Sequence, residues 1–125
     1  MEIKKVVVIG SGTMGSGIAA HLCNANIPVV LLDLKTEIAD KAKERILKSR
    51  PPLLFDKTKI NSLKTGNINE NFDNVDDADW IIEAVVERID IKHSIYEKIF
   101  KKRKKDSIVS SNTSTIPLKI LSEKL

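Results

Sequence analysis

Residues 4–33 read KKVVVIGSGTMGSGIAAHLCNANIPVVLLD. Lys4–Gly10 is a short β-branched run closed by glycine, which predicts a strand buried on both faces. Gly10, Gly12 and Gly15 follow in the spacing G-x-G-x-x-G. From Gly12 to Asn26 the pattern turns helical, with Met14, Ile18, Leu22 and Ala25 predicted on the apolar face. Asn26-Ile27-Pro28 breaks that helix, and Pro28–Asp33 predicts a second buried strand ending in an acid. A strand, a glycine turn, a helix and a strand within 30 residues predict a right-handed βαβ unit.

The glycine pattern alone is weak, because glycine-rich turns are common. Its context makes it specific: a buried strand precedes it, a helix starts inside it, and Asp33 stands 18 residues beyond Gly15, near the ~20 of the dinucleotide fingerprint. Gly10 suits the tight turn. Gly12 lets a pyrophosphate approach the backbone, and Gly15 lets the helix close on the sheet. Ser11, Thr13 and Met14 complete the turn and are candidate cofactor contacts. The helix start supplies unpaired N–H groups for an anion. Asp33 is the expected acceptor for the adenosine ribose hydroxyls, and its charge opposes a 2′-phosphate. NAD is therefore the expected cofactor rather than NADP, with Lys35 nearby as the one counter-indication. The alternative is a plain tight turn with Asp33 capping a helix.

Outward from this unit, the chain continues to alternate. Lys35–Lys48 predicts a helix with Ile38, Ala42 and Arg45/Ile46 along one side, started with help from Thr36 and Glu37. Ser49–Phe55 stops it with a proline pair. Asp56–Asn61 suits a short helical turn, Ser62–Asn67 a short strand, and Asn69–Ala78 a polar helix or loop. Asp79–Val86 is a third strong strand. Ile89–Lys102 is amphipathic through Ile91, Ile95, Ile99 and Phe100. Ile108–Ser111 is another strand, Asn112–Ile116 a polar loop, and Pro117–Lys124 the start of a helix. The expected fold class is α/β: a Rossmann-type, doubly wound, mostly parallel sheet. It is expected to be incomplete at its C-terminal side, where a further strand would follow. Ile108–Ser111 would then be an open edge, which favours self-association.

The chain has 125 residues, 42% hydrophobic and 30% charged, enough for one core. That balance excludes disorder and low complexity. A single cysteine, Cys23, excludes a disulfide framework and a cysteine zinc site. It is expected to be inert and suits a reducing, cytoplasmic compartment. No run approaches the ~20 apolar residues of a membrane span, and the strand-like start predicts no signal peptide. The net charge is +4, with 17 Lys and four Arg. So mild an excess, poor in the arginine that base readout favours, argues against nucleic acid. Lys101-Lys102-Arg103-Lys104-Lys105 is expected to be a solvated helix end rather than a phosphate patch.

In open α/β sheets ligands sit beyond the carboxyl ends of the strands. Glu83 interrupts a run that should be buried, either as a structural hydrogen-bonder or as a site acid. Glu87 lies just past that strand and Lys92 five residues on. They form either a local ion pair or part of a site. Ser110-Ser111-Asn112-Thr113-Ser114-Thr115 could bind a ribose, a carboxamide or a substrate oxygen, or could simply cap the next helix.

VVVIGSGTMGSGIA, VVLLD, DWIIEAVVER and SIVSSNTSTIPL together resemble the NAD-binding domain of 3-hydroxyacyl-CoA dehydrogenases, from Lys4 to about Leu118. The pairing of D-W-I-I-E-A-V-V-E with S-N-T-S carries most of the specificity. Arg50–Phe72 is similar to the form in larger bacterial fatty-acid oxidation proteins. The resemblance implies hydride transfer between a (3S)-3-hydroxyacyl-CoA and NAD⁺, with an acyl-CoA thioester as substrate. It implies that Gly10, Gly12, Gly15 and Asp33 hold the cofactor, with Glu87, Lys92 and Asn112 beside it. Ser114 would touch both nicotinamide and the reacting substrate oxygen, and Ser49 would contact CoA. The family's general base, a His in H-F-F-N-P, and its Glu partner have no counterpart in these residues. His21 and His93 are read as structural. Residues 1–125 are thus expected to be the N-terminal portion of an NAD-binding domain, without the helical dimerisation and substrate domain, binding NAD without turnover. Two alternatives are a non-catalytic dinucleotide-binding remnant or sensor and a dehydrogenase of another 3-hydroxy acid.

Overall fold

The computed structural model describes residues 3–84 and 89–111. Its elements in order are β1 (Val6–Ile9), α1 (Thr13–Asn24), β2 (Val29–Asp33), α2 (Thr36–Lys48), a 3-10 helix (Lys57–Ser62), β3 (Leu63–Asn67), a second 3-10 helix (Phe72–Val75), β4 (Trp80–Glu83), α3 (Ile89–Lys102) and β5 (Ile108–Ser111). The strands form one sheet in the order β3-β2-β1-β4-β5. Every pairing is parallel, with Val6 opposite Val29 and Trp80, and Ile9 opposite Leu32 and Glu83. This is the doubly wound α/β fold. The chain turns one way from β1 to β2 and β3, then crosses back to β4, so the strand order reverses between β1 and β4.

The central strands are apolar on both faces because both faces are covered. Val6, Val8, Val29, Leu31 and Ile82 pack against Ala19, Ala20, Cys23, Ala42 and Ile46 of α1 and α2. Val7, Ile9, Val30, Leu32 and Ile81 pack against Phe72, Val75, Ile95, Tyr96 and Ile99 on the opposite side. The buried face of α1 differs from the expected one. It is built from Gly15, Ser16, Ala19, Ala20, Leu22 and Cys23, whereas Met14 is 59% exposed and Ala25 is exposed. The helix lies so close to the sheet that only small side chains fit beneath it. On α2 the inward residues are Ala39, Ala42 and Ile46, and on α3 Phe100 points outward while Tyr96 is buried. Lys35 caps α2 without a side-chain bond, and the Thr36 hydroxyl instead accepts from Asn67 Nδ2 at 3.0 Å.

An ionic lock ties the amino ends of three strands. Asp79, buried just before β4, accepts the N–H groups of Lys4 and Lys5 at 2.8 and 3.1 Å and the ammonium of Lys104. The Lys104 hydrogen bond, then the backbone bond from Lys4, hold its carboxyl below the usual carboxylate range. A lowered folded pKa stabilises fully above the unfolded value of ~3.9 and is lost as pH falls through the folded pKa. We therefore expect Asp79→Asn to melt below the parent chain at neutral pH. The gap between the two melting temperatures should close as the pH drops beneath about 4. A pH-independent gap in a thermal scan would refute the linkage.

Candidate functional site

The carboxyl ends of β1, β2 and β4 open onto a cleft of about 600 Å³. Gly10, Ser11, Gly12, Thr13 and Met14 line it from the glycine turn, Asp33, Leu34, Ile38 and Arg45 from the end of β2 and from α2, and Ile68, Ala84 and Ile95 complete the wall. β1 delivers the glycine turn to its centre. Gly10 has φ 107°, a left-handed conformation that disfavours any side chain, and its N–H donates to Leu32 O at 2.7 Å. A Cβ on Gly15 would fall 1.8 Å from Gly10 O, whereas one on Gly12 would meet nothing within 4 Å. The turn is therefore tight where the helix meets the strand and open where it faces the cleft. The start of α1 carries no side-chain cap and no acid in its first turn. Its leading N–H groups and positive dipole end are left for an anion.

Asp33 closes the same cleft from the end of β2. Its Oδ2 accepts the Ser11 N–H at 2.8 Å and the Ser11 hydroxyl at 2.5 Å, and its Oδ1 accepts the Leu34 N–H at 2.7 Å. A carboxylate has about four lone-pair sites, so with three taken it can still accept a hydrogen bond from a sugar hydroxyl. Leu34 and Ile38 give that corner two partly exposed apolar walls, which suit the flat face of a purine. The residues thus fit a dinucleotide: amides for the diphosphate, an acid for the sugar and apolar surface for the base.

Of the expected site residues, Gly10, Ser11, Gly12, Thr13, Met14 and Asp33 converge on this cleft, and Gly15 shapes it from below. Ser11 spends its side chain on Asp33. Lys92 lies in α3, with its side chain outside the described residues. Glu87, Asn112 and Ser114 lie outside the described residues. Ser49 lines a different hollow, of about 720 Å³, at the end of α2. There its hydroxyl donates to Ile46 O at 3.1 Å and accepts the Leu53 N–H at 2.9 Å. Glu83 is fully buried at the end of β4, and the Tyr96 hydroxyl donates to its Oε1 at 3.5 Å. Cys23 is buried, and that burial pushes its thiol pKa up, as an inert cysteine requires. Sequence reasoning missed Arg45, which it placed on the inward side of α2. Arg45 donates from Nη2 to Ser11 O at 2.8 Å. A cation in an otherwise apolar stripe was the available signal.

Known proteins share this fold. The profile of the 3-hydroxyacyl-CoA dehydrogenase NAD binding domain matches residues 5–125. A Deinococcus radiodurans protein named "Probable 3-hydroxyacyl-CoA dehydrogenase" is 42% identical over 125 residues, covering 94% of this chain and 36% of the relative. A peroxisomal fatty acid beta-oxidation multifunctional protein of Arabidopsis thaliana is 43% identical over 129 residues, covering 98% of this chain and 18% of the relative. The chain therefore spans between about a fifth and just over a third of the length of these two proteins. The crystal structure of 3-hydroxybutyryl-CoA dehydrogenase from Escherichia coli K12 superposes with a TM-score of 0.86 at 27% identity, over 100% of this chain and 28% of that one. The chain belongs to the family of NAD-binding domains of 3-hydroxyacyl-CoA dehydrogenases.

Proposed function

We propose that this chain is the cofactor half of an enzyme that moves a hydride between a (3S)-3-hydroxyacyl-CoA and NAD⁺. The observation that carries the reading is the cradle at Gly12, open where a diphosphate must lie and walled by Asp33 where its ribose must end. Bound NAD⁺ supplies the hydride acceptor. The chain's own residues bind, orient and enclose it: the first turn of α1 takes the phosphates and Asp33 the ribose hydroxyls. Glu87, Lys92 and Asn112 are proposed beside the cofactor, Ser114 against nicotinamide and the substrate oxygen, and Ser49 against CoA. The names of the relatives support the acyl-CoA substrate and a place in fatty acid oxidation.

Proton removal from the substrate hydroxyl needs a base. His21 is exposed on α1, His93 is buried in α3, and neither lines the cleft. We assign the base to a region beyond the NAD-binding portion represented by residues 1–125. Without it the rate falls by ~10²–10⁴-fold. NADH oxidation tests the proposal. The complete enzyme is expected to reduce acetoacetyl-CoA and to leave acetoacetate untouched, while the 125-residue chain binds NAD⁺ with turnover lower by at least ~10²-fold. Equal rates with the free acid would overturn the CoA assignment.

Two finer readings belong with this one. A cytoplasmic location is supported by the lone buried Cys23, and among the described residues no helix is long and apolar enough to cross a membrane. Among the described residues β5 forms one edge of the sheet, with Ile108 exposed on it. That edge is proposed to pair with a strand of a second copy. A strict monomer at high concentration in light scattering removes this pairing.

A further inference from the structure

Ser11 is held from both sides. Asp33 takes its N–H and its hydroxyl. On its other side, the Ser11 carbonyl oxygen accepts Ser16 Oγ at 2.8 Å and Arg45 Nη2 at 2.8 Å. Arg45 Nη2 also stands 3.4 Å from Ser16 Oγ, closing a three-membered network. A carbonyl oxygen has two lone pairs, and these two donors fill both. Arg45 reaches this turn from α2, 34 residues further along the chain.

The peptide joining Ser11 to Gly12 is planar and trans, so its N–H projects opposite its C=O. Pinning the oxygen toward Arg45 and Ser16 directs the Gly12 N–H the other way. Gly12 lines the cleft, and among the described residues no acceptor holds its N–H. Were the carbonyl free, the peptide could rotate and present oxygen to an incoming phosphate, replacing an attraction by a repulsion. We propose that Arg45 is a positioning residue for the dinucleotide pyrophosphate. It holds the Ser11 carbonyl out of the phosphate's path and so presents the Gly12 amide as a donor. The inference rests on the dinucleotide reading above and adds to it a residue that the glycine fingerprint does not contain.

Arg45 is exposed and outside the core, so its replacement leaves the core intact. Calorimetry on the chain with NAD⁺, ADP and adenosine separates the phosphate from the nucleoside. Arg45→Met is expected to weaken NAD⁺ and ADP about tenfold, with adenosine unchanged within about twofold. The loss should persist at about 0.5 M KCl, where simple charge attraction is screened. In the ligand-free chain, the Gly12 amide resonance should shift in Arg45→Met and stay in place in Lys48→Met, a cation lost from the same helix. Arg45→Lys, which keeps a donor, should recover part of the affinity. Unchanged NAD⁺ affinity in Arg45→Met, an equal loss for adenosine, or a loss erased by salt would each overturn the proposal. A parent chain that gives no NAD⁺ binding overturns the dinucleotide reading itself, so the two failures are distinct.

Discussion

Gly15→Ala is expected to abolish dinucleotide binding and to destabilise the fold, while Gly12→Ala keeps the fold and loses affinity alone. A methyl on Gly15 would lie 1.8 Å from Gly10 O and 2.9 Å from Gly10 C. Both obstacles are backbone. Gly10 cannot yield, because its N–H is bonded to Leu32 O and its φ is already positive. Helix α1 would have to lift from the sheet, carrying Ala19, Ala20 and Cys23 out of the core. Overpacking that side chains can absorb costs roughly 1–3 kcal/mol, and backbone overlap belongs at or above the top of that range. Against a total stability of ~5–15 kcal/mol, that is a large loss. At Gly12 a methyl meets no atom within 4 Å, so melting should barely move. The same methyl occupies the space a phosphate needs, and NAD⁺ affinity should fall at least about tenfold. Thermal scans and calorimetry on both variants check this. Parental melting and parental affinity in Gly15→Ala would refute it.

Asp33→Asn is expected to weaken NAD⁺ by about 10–100-fold and to remove much of the preference over NADP⁺. The carboxylate accepts three bonds from the chain, two at Oδ2 and one at Oδ1. An amide has one acceptor oxygen. Turned one way it sets N–H against the Ser11 N–H; turned the other way it strands the Leu34 N–H. The first orientation costs the glycine turn its tether on the side of Ser11, and the second leaves the Leu34 N–H without its acceptor. Loss of the negative charge also lifts the repulsion toward a 2′-phosphate. Paired titrations with NAD⁺ and NADP⁺ read both effects, and an unchanged affinity ratio would take Asp33 out of the ribose site.

The βαβ opening was readable because its signals are local and chemical. Each glycine answers a steric demand within six residues, and Asp33 ends a strand whose apolar run is plain. That the sheet would be parallel followed from the alternation of strands and helices. The inward face of α1 was not readable in the same way. Periodicity scores apolarity, so it chose Met14 and Ala25, which are exposed, but the deciding quantity is the gap between helix and sheet, which Gly15 and Gly10 set. Arg45 escaped for a related reason. Its partner is a backbone carbonyl 34 positions away, and no spacing rule connects a helix cation to a turn's main chain. Ser49 was placed by likeness rather than by local chemistry. Its hydroxyl finishes α2 and holds Leu53, a role no sequence pattern around the proline pair announces.

The lock at Asp79 sits on the opposite rim of the sheet from the glycine turn. Asp79, Lys5 and Lys104 stand where strands enter, and Gly12 and Asp33 stand where they leave. A strand of four or five residues separates the two rims by about 13–17 Å, beyond the distance at which substitutions usually interact. Heat tolerance and ligand grip can therefore be tuned separately in this scaffold. Changes at the entry rim should shift the melting point and leave nucleotide affinity untouched, which makes that rim the place to harden the domain for use at low pH.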